Sequence, residues 1–65
     1  MRILVNGAPH DVEAGTLESL LLELGFGERR VATALDGNFV PVRERAGQAL
    51  RENSRIEIVS PMQGG

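Results

Sequence analysis

A chain of 65 residues holds one domain and buries only about 60% of the surface its unfolded form exposes, which leaves little room for an enclosed active site. With 42% hydrophobic residues, 25% charged residues and a formal net charge of -2, the composition is that of a folded globular protein. Seven scattered basic residues against nine acidic ones, with two Phe and no Trp or Tyr, exclude the electrostatic and stacking footprint of a nucleic-acid binder.

Zero Cys removes disulfides, thiolate metal sites and a catalytic thiol, and the single histidine, His10, cannot build a multi-histidine metal site. No resident metal or cofactor is expected. Apolar runs such as Leu20-Leu21-Leu22 fall far short of a membrane span, and the first residues lack the three regions of a signal peptide. The expected location is the cytoplasm, away from membranes.

Met1 to Val5 is a short branched apolar run closed by Asn6-Gly7, a dipeptide suited to the positive φ angles of a tight hairpin. Pro9 opens a second, edge-like segment through His10 to Glu13. Thr16 stands where a helix N-cap is needed, and Leu17, Leu20, Leu21 and Leu24 follow at i, i+3, i+4 and i+7, one apolar stripe on one short helix. Gly25 comes just past it, where a left-handed cap is wanted. Val31 to Leu35 predicts a third strand, Asp36-Gly37-Asn38 a turn, and Phe39 to Val42 a fourth strand. Arg43 to Arg51 is a polar connection with a helical turn that packs through Leu50. After a turn at Asn53-Ser54, Arg55 to Val59 alternates charged and branched apolar residues, a strand with one face on a core. Together these elements predict an α+β fold, one mixed sheet with the helix across a face. The first and last strands lie parallel in its middle.

Ser19, Ser54 and Ser60 could serve as nucleophiles only with a base in reach, and His10, expected on the exposed second strand, is the only histidine. Glu23 and Glu28 near the helix end read as a solvated face. If Ile3, Val5, Ile56 and Ile58 face the helix, Arg2, Leu4, Glu57 and Val59 face away, and Leu4 with Val59 forms an apolar spot for partner docking.

Beyond Ser60, Pro61 cannot donate to a ladder, and Gly64-Gly65 offer no side chains to pack. Residues 1–60 are therefore expected to form the domain and 61–65 a flexible tail. Extended, that tail spans about 16 Å at roughly 3.3 Å per residue, enough to enter another protein's active site through a slot that admits no Cβ. A terminal carboxylate becomes an acylating agent once ATP has converted it to an acyl adenylate.

Across its whole length the chain resembles the ThiS sulfur-carrier family of thiamine biosynthesis, within the β-grasp (ubiquitin-like) superfamily. The residues that carry the resemblance are Asn6-Gly7, Thr16-Leu17, Val31 to Gly37 leading to Val40-Pro41, Ile56-Glu57-Ile58-Val59, Pro61 and terminal Gly64-Gly65. Two places depart from the family pattern: Val42 intervenes before Arg43, and Asn53-Ser54 replaces a Gly-Asp turn, a position where Asn also tolerates left-handed backbone.

The resemblance implies a carrier rather than an enzyme. A ThiF-type enzyme adenylates Gly65 with ATP, and sulfur originating from cysteine, through a donor such as a cysteine desulfurase, converts it to a thiocarboxylate. Thiazole synthase (ThiG) then takes the sulfur, with Gly64 as the slender residue behind the acyl carbon. Three alternatives stay open: a MoaD-like carrier for molybdopterin or another product, a ubiquitin-like modifier, and an interaction module with an inert tail.

Overall fold

The structure, a computed structural model, describes residues 1–27 and 29–60; the expectations for Glu28, Pro61, Gly64 and Gly65 lie outside the described residues. Five strands, β1 (Arg2–Val5), β2 (Ala8–Asp11), β3 (Ala32–Leu35), β4 (Asn38–Val40) and β5 (Arg55–Val59), form one sheet in the order β2-β1-β5-β3-β4. β1 and β5 run parallel in the middle, Leu4 beside Arg55 and Val5 beside Ile56, and the other pairs are antiparallel. This is the predicted mixed sheet.

One helix, α1 (Leu17–Glu23), lies across it. Thr16 sits in extended backbone and its hydroxyl accepts from the Ser19 amide, while Ser19 Oγ accepts from the Thr16 amide, so two of the orphan donors at the helix start are satisfied reciprocally. Seven residues are too few to hold a helix in water, so its stability comes from packing. Leu17, Leu20 and Leu21 are buried against Ile3, Val5, Ile56 and Ile58, with Leu24 half-buried at the rim. The helix stops where Gly25 takes φ +88.

Two corrections concern the edges. The fourth strand stops at Val40, because Pro41 caps a 3₁₀ helix (Val42–Gly47) that takes Val42 out of the sheet. His10 registers with Ile3, which puts it on the helix side of β2 and leaves it half-buried instead of exposed.

The connection from 43 to 51 packs through Leu50, as expected, and also through Arg45, which is only 8% exposed. Arg45 Nε donates to Thr33 Oγ1 (3.1 Å) and Nη2 to the Val31 carbonyl (2.7 Å), while the Thr33 hydroxyl donates to the Val40 carbonyl (2.8 Å). These bonds lock the 3₁₀ helix to β3. They also leave the buried hydroxyl and guanidinium paired, which burial requires.

Leu20 is fully buried at the helix–sheet contact, whereas Leu22, on the same helix, is 65% exposed. Leu20→Ala is expected to cost roughly 3 to 5 kcal/mol, much of the roughly 3 to 10 kcal/mol a domain of this size holds. Leu22→Ala is expected to stay within about 0.5 kcal/mol in the same urea titration followed by circular dichroism.

Candidate functional site

The face of the sheet away from α1 carries Arg2 and Leu4 from β1, Pro9 and Asp11 from β2, Arg55, Glu57 and Val59 from β5, Ala32 and Ala34 from β3, and Phe39 from β4. Alternation alone places them there. Leu4 and Val59 share this face as expected, but the register separates them. Leu4 stands beside Arg55 and Val59 beside Ala32, four residues on, or roughly 13 Å at about 3.3 Å per residue.

Glu57 occupies the interval, and level with it across β3 and β4 stand Ala34 and Phe39, a row of directly opposed residues. Phe39 is 70% exposed and Val59 60%. The apolar surface is thus a band from Phe39 through Ala34 and Ala32 to Val59, with Leu4 in a shallow depression lined also by Gly7, Gly37, Arg55, Ile56 and Glu57. At one corner Arg2 and Asp11 pair at 3.3 Å, both largely exposed. Phe39 was legible: with Val40 pointing inward, its neighbour points outward.

Two hairpin turns brace β5 from either side. Asn6, at φ 51, donates from Nδ2 to the Ile58 carbonyl (3.0 Å) and accepts at Oδ1 from the Ile58 amide (2.9 Å). Asp36, at φ 50, accepts at Oδ1 from the Arg55 amide (2.8 Å), and its own amide donates to the Arg55 carbonyl (2.7 Å). Asn and Asp reach left-handed backbone more readily than other side chains, and both are followed by a glycine.

Two of the candidate serines and Glu23 have structural partners. Ser19 is engaged in the helix cap, and Ser54 Oγ accepts from the Arg51 amide. The Glu23 carboxylate accepts from the amides of Glu13 and Ala14, tying the helix end to the segment before its start. Among the described residues no group of three or more His, Cys, Asp or Glu is placed to hold a metal ion, and no helix is long and apolar enough to cross a membrane.

A mixed five-stranded sheet wrapped on one helix, its last strand central and leading directly into residues 61–65, defines a β-grasp domain of the ubiquitin-like kind. The ThiS family model matches residues 3–65, and the chain belongs to the ThiS family. The sulfur carrier protein ThiS of Thermus thermophilus is 33% identical over 63 residues, 97% of this chain and 98% of that protein. Two proteins named thiazole synthase, from Magnetococcus marinus and Paramagnetospirillum magneticum, are 41% and 35% identical over 66 residues. They match 100% of this chain, which spans 20% of their length. The crystal structure of the thiamine biosynthesis protein ThiS from Geobacter metallireducens has a TM-score of 0.83 at 25% identity, with 100% of both chains covered.

The exposed band is not part of the core, so Phe39→Glu and Val59→Glu are each expected to change stability by less than about 0.5 kcal/mol. Unfolding midpoints measured side by side with the unsubstituted chain check this, and a large loss in either variant would assign that side chain a packing role.

Proposed function

We propose that this chain is a sulfur carrier in the making of the thiamine thiazole, and that Gly65 is the residue that carries the sulfur. The observation that supports this most is family membership across residues 3–65, together with a match to a ThiS sulfur carrier nearly from end to end. The two relatives in which a region like this chain makes up a fifth of a thiazole synthase support that enzyme as the acceptor. They also favour the thiamine reading over a molybdopterin carrier, a modifier or an inert module.

The chemistry divides between the chain and its partners. A ThiF-type adenylating enzyme directs the Gly65 carboxylate onto the α-phosphorus of ATP, and pyrophosphate leaves. The acyl carbon of the adenylate then accepts a sulfur nucleophile and AMP departs. With hydrosulfide the product is the thiocarboxylate itself. With a donor persulfide, such as that of a cysteine desulfurase, it is an acyl disulfide, which a thiol must reduce. Thiazole synthase takes the sulfur, and the carboxylate returns to the start. The chain is consumed and recharged, so it acts as a co-substrate and not as a catalyst, and the cytoplasm, where ATP is available, is its place of work.

Residues 61–65 act as the reaching segment. Gly64 and Gly65, without Cβ atoms, suit a narrow slot in the enzyme. Docking belongs to the open face of the sheet, with Leu4 and Val59 at the two ends of the contact, Glu57 between them, and Ala34 and Phe39 flanking Glu57 on β3 and β4. A band of this kind beside the root of the tail holds the body while the tail reaches the active site.

Incubation with ATP, an active ThiF-type enzyme and a sulfur source is expected to raise the intact mass by the difference between one sulfur and one oxygen. The gain depends on ATP and is absent from a Gly65-deleted chain. No gain with an enzyme that loads its own carrier would falsify the reading. For the docking face, Leu4→Glu and Val59→Glu are each expected to weaken binding to the adenylating enzyme at least about tenfold, in line with interface anchor residues. Unchanged affinity in both variants would remove the open face from the contact.

A further inference from the structure

The parallel ladder between β1 and β5 advances two residues at a time: the Leu4 amide donates to the Ser54 carbonyl (2.9 Å) and the Asn6 amide to the Ile56 carbonyl (2.8 Å). Continued by one step, the amide of residue 8 would donate to the Ile58 carbonyl, and the Ile58 amide would donate to the carbonyl of residue 6. Neither backbone bond is possible, because at Asn6 the chain turns and Ala8 already starts β2 in the opposite direction. The Asn6 side chain supplies both, its Nδ2 in place of the missing amide and its Oδ1 in place of the missing carbonyl. The turn alone does not ask for this, since glycine serves a left-handed position at least as well. An amide of this length, with an N–H donor group and a carbonyl acceptor side by side, is what the unpaired edge of Ile58 requires.

We propose that Asn6 is a positioning residue for sulfur transfer: by holding both polar groups of Ile58, its amide sets the direction in which β5 leaves the sheet, and with it the placement of Gly65 in the enzyme. The inference rests on the carrier reading above. Ile58 is seven residues before Gly65, and on its β1 side, among the described residues, Asn6 alone pairs its backbone. If Ile58 shifts on that side, the point from which the chain beyond β5 starts shifts with it. Because an acyl carbon must meet its reactants at near-contact geometry, a displacement of about 1 Å can cost on the order of 100-fold in rate.

Two matched variants separate positioning from stability. Asn6→Gly keeps the left-handed turn and removes the clamp. Asp36→Gly does the same at the other turn, removing a side-chain bond to β5 at its opposite end, Arg55. Thiocarboxylate formation by a ThiF-type enzyme is followed over a range of carrier concentrations, with hydrogen exchange of the Ile58 amide as the structural readout. Asn6→Gly is expected to speed exchange at Ile58 and to lower kcat about tenfold or more with KM held within about twofold, the signature of a lost transition-state placement and not of lost binding.

Asp36→Gly is expected to keep the kcat of the unsubstituted chain while losing stability. Asn6→Asp, which accepts from the Ile58 amide but cannot donate to its carbonyl, is expected to fall between, and it decides the matter should the glycine variant not fold. A kcat for both Asn6 variants equal to that of Asp36→Gly, or a loss confined to KM, overturns the positioning role and leaves the carrier reading standing. An unsubstituted chain that the enzyme does not load overturns both.

Discussion

Everything in this domain depends on the side-by-side pairing of its two ends. β1 and β5 are separated by almost the whole sequence, yet they are neighbours in the centre of the sheet, and Ile3, Val5, Ile56 and Ile58 make the floor on which α1 rests. A seven-residue helix cannot hold itself, and neither hairpin is stable alone. Each therefore waits for the contact that costs the most loop entropy to close. Folding is expected to be all-or-none for that reason, with no smaller subset of elements able to persist. The same pairing has a functional consequence. Chain ends usually fray, but here the last strand is held on both edges, so the residues that follow it start from a strand paired with β1 on one side and β3 on the other.

With so small a core, polar side chains complete the backbone accounting that longer strands and helices would otherwise provide. Asn6 stands in for a strand that has turned away, Asp36 closes the start of β5, Glu23 receives two amides from the segment entering the helix, and Thr33 with Arg45 ties the 3₁₀ helix to β3. Among the described residues, no buried side-chain nitrogen or oxygen lacks a partner. The sheet thereby spends one face on the core and keeps the other available, and the apolar band from Phe39 to Val59 is the surplus of that division.

Much of this could be read in the residues, and the part that could not has a physical reason. The leucine stripe, the Thr16 cap, the Asn6-Gly7 and Asp36-Gly37 turns and the alternation of Arg55 to Val59 are local signals, and each survives in the structure. Arg45 was invisible because it stands among Arg43 and Glu44 in a polar stretch, and only the fold reveals that its guanidinium reaches the Val31 carbonyl. The gap between Leu4 and Val59 was also hidden, since alternation assigns a face but not a register, and register depends on where β1 stops. Asn6 was read correctly as a turn residue. Its second task lies 52 residues away in sequence, beyond any local pattern.

On the carrier reading proposed above, the chain needs no reactive side chain, because ATP and the partner enzymes would supply the driving force and the sulfur. What the chain contributes is placement, and placement makes two opposed demands. On that reading the segment beyond Ser60 would have to enter more than one enzyme, whereas its root would have to keep its place relative to the face by which the body is held. Val59, whose neighbour Ile58 is clamped by Asn6 and opposes Thr33, is the residue where those demands meet: it belongs to the exposed band and is also the last residue of the strand. Docking through such a residue, as proposed, would couple recognition to reach, so that an enzyme gripping the band would also set the starting point of residues 61–65. A separate grip on the helix side would lack that coupling, since from there the tail's origin is known only through the thickness of the core.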